Sequence, residues 1–90
     1  MKYEYWPLTP RQREVVRLLS LGCTVKEAAD ILRLSPSTVD NHKSEAMRRL
    51  GCDKLALLTR IAIKLRITSL GDRLTLAEKR RSGRSRDGWN

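Results

Sequence analysis

Apolar positions along the chain recur with a helical period, and polar punctuation breaks them into short blocks. In the first block, Arg11 to Leu21, Val15, Leu18 and Leu19 fall on one stripe, the spacing of a helix that packs one face. Thr9-Pro10-Arg11-Gln12 opens it: Thr9 is placed as N-cap, Pro10 at the first helical position and Gln12 as the capping-box partner. Gly22 closes it as a left-handed cap. Thr24-Val25-Lys26-Glu27 is a second capping box, and Ala28, Ala29, Ile31 and Leu32 give a short helix with small residues on its packing face. Ser35 and Pro36 start a third helix that runs to Leu50 and stops at Gly51. Asp53 is placed as the cap of a fourth, from Lys54 to about Ile67. No segment alternates as a strand between hairpin turns, so the expected fold class is all-α.

The fourth helix is apolar nearly all round, through Leu55, Leu57, Leu58, Ile61, Ala62, Ile63, Leu65 and Ile67. Such a helix is covered on more than one side. One side is the chain's own core; the other calls for a second copy of the chain, or for the segment after Ser69 folding back over it. Self-association is the favoured reading, with Leu55, Leu58, Ile61, Ala62 and Leu65 as the interface. After Ser69 the pattern weakens. Leu70, Leu74 and Leu76 can make one further short helix, but Lys79, Arg80, Arg81, Arg84 and Arg86 alternate with Ser, Gly and Asp. Residues 70–90 are therefore expected to be a basic flexible tail, and residues 1–69 the folded domain.

Size and charge narrow the class. Ninety residues suit one small domain. A surplus of 19 Lys+Arg over 10 Asp+Glu, formal charge +9, points to nucleic acid or another anionic surface. No apolar run approaches the roughly 18 residues that cross a bilayer, and Met1 to Pro7 lacks the apolar segment of a secretory signal. No membrane partner is expected, and the location expected is cytoplasmic. Cys23 and Cys52 are read as two small thiols in a reducing compartment, ahead of a disulfide. With one His, they do not make a zinc site. There is no acid/base pair, nucleophile–base pair or phosphate-binding glycine loop, so neither catalysis nor a cofactor is expected.

Two helices joined by about three residues, Val25–Leu32 and Pro36–Leu50, form the helix-turn-helix pattern. In that arrangement the second helix lies in the DNA major groove. At 100° per residue, Val39, Ala46 and Leu50 fall together toward the core, and Ser37, Asn41, Ser44 and Arg48 fall opposite. Asp40 and Glu45 flank the outer face, with His42 and Lys43 on its boundaries.

The residues themselves go further. Leu8-Thr9-Pro10-Arg11-Gln12-Arg13-Glu14-Val15, Gly22, Lys26-Glu27-Ala28-Ala29, Leu32, Leu34-Ser35-Pro36-Ser37-Thr38-Val39, Asn41-His42 and Arg49-Leu50-Gly51 resemble the LuxR-type helix-turn-helix domain, also called the GerE or NarL/FixJ type. The resemblance covers about Leu8 to Ile63 without a gap. It implies a bacterial four-helix domain that regulates transcription by binding double-stranded DNA, usually as a dimer through its fourth helix; RNA polymerase is a further candidate partner. The promoter-binding region of σ factors shares the Leu-Thr-x-x-Gln-x-x-Val style, but His42 and the long fourth helix fit the LuxR type better.

Roles then follow for single residues. Asn41 can pair bidentately with adenine, and Arg48 can reach a guanine edge or a phosphate. Lys43 and Lys26 are candidate phosphate contacts, as are Ser37 and Thr38 near the helix start. His42 matches a position that in the family resembles a backbone contact, and Ser44 shares the groove face. Asp40 stands where the family most often has Lys: a carboxylate there repels phosphate but can accept from a cytosine amino group. Glu45 replaces a common Asn. Leu55 stands where Arg is frequent, a loss that Lys54 can make good. Arg33 occupies a turn position that is often Gly, where a left-handed backbone costs on the order of 1 kcal/mol. These departures keep a second class open: an interaction module of the same fold that has lost strong DNA affinity. With seven residues before Leu8, the chain is read as a stand-alone regulator or a piece of a longer one.

Overall fold

The structure is a computed structural model that describes residues 8–84. Residues 1–7 and 85–90, with Arg86 of the expected tail, lie outside the described residues. Five helices follow in order: α1 Pro10–Ser20, α2 Val25–Leu32, α3 Pro36–Leu50, α4 Leu55–Lys64 and α5 Leu76–Ser82. No strand occurs among the described residues.

Local chemistry sets most of the boundaries. Thr9 accepts from the Gln12 amide at 3.1 Å while the Gln12 side chain accepts from the Thr9 amide at 3.0 Å. Thr24 and Glu27 repeat this at 3.0 and 2.9 Å. Each pair satisfies two amides that the first turn cannot. Ser35 caps α3 by accepting from Thr38. At the far ends, Gly22 (φ 96) and Gly51 (φ 72) take the left-handed backbone that lets the chain leave the helix.

Two boundaries differ from expectation. α4 begins at Leu55 with Lys54 as an extended N-cap that makes no side-chain cap bond, so Asp53 does not cap it. It also stops at Lys64, short of Ile67, because Arg66 turns left-handed (φ 63). The Ile67 and Arg66 amides then bond back to the Ala62 and Ile63 carbonyls at 2.9 and 3.1 Å, the double bond-back that closes a helix.

α1 lies at the centre and touches α2, α3 and α4. One apolar cluster joins α1, α2 and the start of α3 through Val15, Leu18, Leu19, Ala28, Ala29, Ile31 and Val39. The other joins α1, α3 and α4 through Val16, Ala46, Leu58 and Ala62. Leu58 and Ala62 are thus fully buried inside the chain's own core. Their expected place at a dimer interface is corrected, since no partner can reach them.

The segment after Ser69 is the larger correction. The short helix that Leu70, Leu74 and Leu76 allowed does form, as α5, but the basic stretch from Glu78 to Ser82 is part of it: Leu74 is buried in the core cluster, and α5 packs against α2. Leu70 and Leu76 stay exposed. The anchor is Arg17 of α1, which donates to both carboxylate oxygens of Asp72 (2.9 and 3.1 Å), to Glu78 (2.8 Å) and to the Arg73 carbonyl (3.0 Å). Buried Thr68 donates to the same Asp72 at 2.7 Å. A further capping box, Thr75 with Glu78, starts α5. The segment folds back as the alternative reading allowed, but onto α2 rather than over α4.

Candidate nucleic-acid interface

α2 and α3 meet through Arg33, Leu34 and Ser35. Arg33 is left-handed (φ 59, ψ 45), and the Leu34 amide bonds the Ala29 carbonyl at 2.9 Å. This closes α2 within one residue and sends α3 off at once. A non-glycine residue here carries strain of about 1 kcal/mol or more, borne because Val39 and Ala46 of α3, both fully buried, lock the turn into the core.

With Val39 and Ala46 inward, Ser37, Asn41, Ser44 and Arg48 are exposed on the opposite face. From Ser37 to Arg48 the rise is about 16 Å, enough to cross a major groove about 12 Å wide. Asp40 is exposed beside them, and His42, Lys43 and Thr38 are half-buried on the flanks. The Ser35 hydroxyl shares contacts with the Ser37 and Thr38 hydroxyls at 3.2 and 2.9 Å, so both are held at the start of α3. Lys26 stands exposed on α2 and Lys54 at the start of α4. The fold therefore brings Ser37, Asp40, Asn41, Ser44 and Arg48 onto one face, with Lys26 and Lys54 on neighbouring elements.

The electrostatics of that face are nearly self-compensated. Glu45 accepts from Arg48 at 3.1 Å and from Arg49 at 2.8 Å. The Arg48 bond, then the Arg49 bond, holds the Glu45 carboxyl down to about 2. Lys43 pairs with Asp40 at 3.6 Å, and Lys26 with Asp30 at 3.5 Å. Arg48, Lys43 and Lys26 each have an acid within one turn of their own helix, and such exposed pairs contribute only a fraction of a kcal/mol. Exchanging them for phosphate contacts is inexpensive.

On α4, Leu55 and Leu57 are 49% and 42% exposed. Ile61 and Leu65 are half-buried. Of the residues expected at an interface between copies, Leu55, Ile61 and Leu65 keep accessible surface, and Leu57 joins them. Cys23 and Cys52 are both free thiols.

The family model for the luxR family of bacterial regulatory proteins matches residues 6–62. The chain belongs to that family. The luxR match spans α1 to most of α4, and decides against the σ-factor likeness. This luxR-family chain is 49% identical over 45 residues to the transcriptional regulatory protein UhpA of Escherichia coli, covering 50% of this chain and 23% of UhpA. It is 52% identical over 44 residues to the spore germination protein GerE of Bacillus subtilis, covering 49% of this chain and 60% of GerE. It is 35% identical over 63 residues to the transcriptional regulatory protein MctR of Rhizobium johnstonii, covering 70% of this chain and 29% of MctR. The chain thus spans about a quarter of the length of UhpA and MctR. No solved structure matches it. Among the described residues no helix is long and apolar enough to cross a membrane.

Proposed function

We propose that this chain is a sequence-specific DNA-binding module of a transcription regulator, with α3 in the major groove. One observation carries the reading: a 15-residue helix presents Ser37, Asn41, Ser44 and Arg48 on a single exposed face, while Val39 and Ala46 fix its other face in the core. Asn41 reads a base edge, Arg48 a guanine edge or a phosphate, and Lys43, Lys26, His42, Ser37, Thr38 and Lys54 hold the backbone. Asp40 accepts from a cytosine amino group. Two copies meet through the accessible apolar part of α4, namely Leu55, Leu57, Ile61 and Leu65, so that two α3 helices address two half-sites. RNA polymerase is a further partner of the assembled regulator, and the compartment is the cytoplasm.

The test is selection of bound duplexes from a random pool, followed by affinity measurements on the winners. Asn41→Ala lowers the preference among sequences, whereas Lys43→Ala weakens all of them alike. If both act alike on every sequence, the division of roles is wrong. If no complex forms even at low salt, the DNA reading fails. The second reading, an interaction module without DNA affinity, is then favoured by the pairing of Arg48 with Glu45 and of Lys43 with Asp40.

A further inference from the structure

We infer that α5, packed against α2, is a second DNA-backbone contact. The inference rests on the DNA-binding reading above and adds to it a surface outside the residues of the family match, which end at 62. Three observations carry it.

First, α5 is docked in a fixed place. Arg17 holds Asp72 and Glu78, Leu74 enters the core, and Arg84 donates to the Gly22 carbonyl at 3.3 Å and to Glu27 at 3.5 Å. Arg81 donates to the Ile31 carbonyl at 3.1 Å. The helix therefore runs along α2, from Ile31 back toward the loop before it.

Second, α2 packs against both α3 and α5, and those two make no helix–helix contact with each other. Ala28, Ala29 and Ile31 of α2 face the core, while Lys26, Asp30 and Arg33 are exposed. Half-buried Glu27, which accepts from Arg84, follows Lys26 directly along α2. When α3 enters the groove, α2 crosses the flanking backbone. α5 packs on that same helix.

Third, that surface is strongly cationic. Residues 76–84 hold Lys79, Arg80, Arg81 and Arg84 against the single acid Glu78, a net of +3. Glu78 is taken up by Arg17. Arg84 is spent on docking, and Arg81 uses one of its five donors on Ile31. Exposed Arg80 and Arg81, with half-buried Lys79, remain to meet phosphates. No base reading is assigned to them, because they lie off the α3 face.

The test is the salt dependence of binding to a selected duplex long enough to extend past the α3 site. Each phosphate contact adds about 0.9 to the slope of log K against log salt. The double variant Arg80→Gln, Arg81→Gln is expected to lower the slope by roughly 1–2 while leaving the ranking of sequences unchanged. Arg80→Gln alone, which removes no bond of the dock, lowers it by about 1. The comparison variant Arg60→Gln, Lys64→Gln removes the same charge from exposed α4, which does not touch α2, and leaves the slope in place. An unchanged slope in the α5 variants, with the parent binding normally, overturns the inference and leaves the DNA reading standing. An equal fall in the α4 comparison also overturns it, since the charge then acts diffusely. If the parent binds no duplex at low salt, the DNA reading falls and takes this inference with it.

Discussion

Arg17→Met tests the clamp that holds the C-terminal segment. Methionine keeps the apolar stem of the side chain and removes the guanidinium, so packing is largely preserved while four donated bonds are lost. Those bonds run to Asp72 twice, to Glu78 and to the Arg73 carbonyl. The Arg17, Asp72 and Glu78 side chains are 24%, 23% and 19% exposed. They lie between two regimes: surface pairs contribute about 0–1 kcal/mol, and breaking a fully buried pair costs about 3–5 kcal/mol. A loss of about 2–3 kcal/mol follows, or roughly 10–20 °C in the unfolding midpoint of a domain this size. The same variant predicts a pH signature. The Arg17 bond pulls Asp72 below its ordinary 3.8. Burial pushes Glu78 the other way, but the Thr75 amide and Arg17 outweigh it and bring it below 4.5. Both carboxylates therefore add stability that is present above about pH 5 and lost as pH falls through their lowered folded values. The parent should lose stability steeply below about pH 4.5, and Arg17→Met should lose less. Urea unfolding of both proteins across pH 3–7, with amide exchange followed at α5, reads all of this. A variant within about 0.5 kcal/mol of the parent and with the same acid limb would refute the reasoning.

Three further outcomes are expected. Glu45→Gln should tighten DNA binding several-fold at low salt, since a carboxylate that repels phosphate is removed, and the gain should vanish at high salt; fluorescence anisotropy titrations check it, and weaker binding would show that Glu45 orients Arg48 for its contact. Leu57→Glu should shift sedimentation toward the monomer without changing the unfolding midpoint, whereas Leu58→Glu should unfold the domain because Leu58 is fully buried; an unchanged sedimentation of Leu57→Glu counts against α4 as the interface. Arg33→Gly should raise stability by about 0.5–1 kcal/mol, the relief of left-handed strain less the added freedom of the unfolded glycine, and a lower midpoint would show that the Arg33 side chain stabilises the turn.

The first three helices were legible because their signals are local. Thr9, Thr24 and Ser35 lie three residues from the amides they cap, so sequence spacing alone exposes the bond. Thr75 and Glu78 carry the same spacing, and that rule would have fixed the start of the further short helix and carried it into the basic stretch that was read as a solvated tail. Arg66 could not have been found this way, since arginine gives no signal for a left-handed backbone. The outer face of α4 was misread for a related reason. An apolar residue at every angle hides which arc is buried, and only the packing of Leu58 and Ala62 on Val16 and Ala46 reveals it. The exposed face of α3 was readable from rotation. Its self-pairing was readable only in part, since Arg49 reaches Glu45 from outside that face. The role of Arg17 was invisible, its partners being set by tertiary structure alone.

The distance along the chain between those partners has a consequence for folding. Arg17 meets Asp72 and Glu78 across 55 and 61 residues. Closing a loop of that length costs more conformational entropy than bringing α2 onto α1, and contacts of long sequence separation slow the search. The capped helices α1 to α3 can therefore collapse first, leaving Ile31 and Cys23 on the flank of α2 uncovered until the final segment arrives. During that interval the exposed flank is the stretch most open to cleavage or to association with other chains. Once formed, the Arg17 contact raises the barrier to opening, so that it governs the lifetime of the native state more than the speed of reaching it.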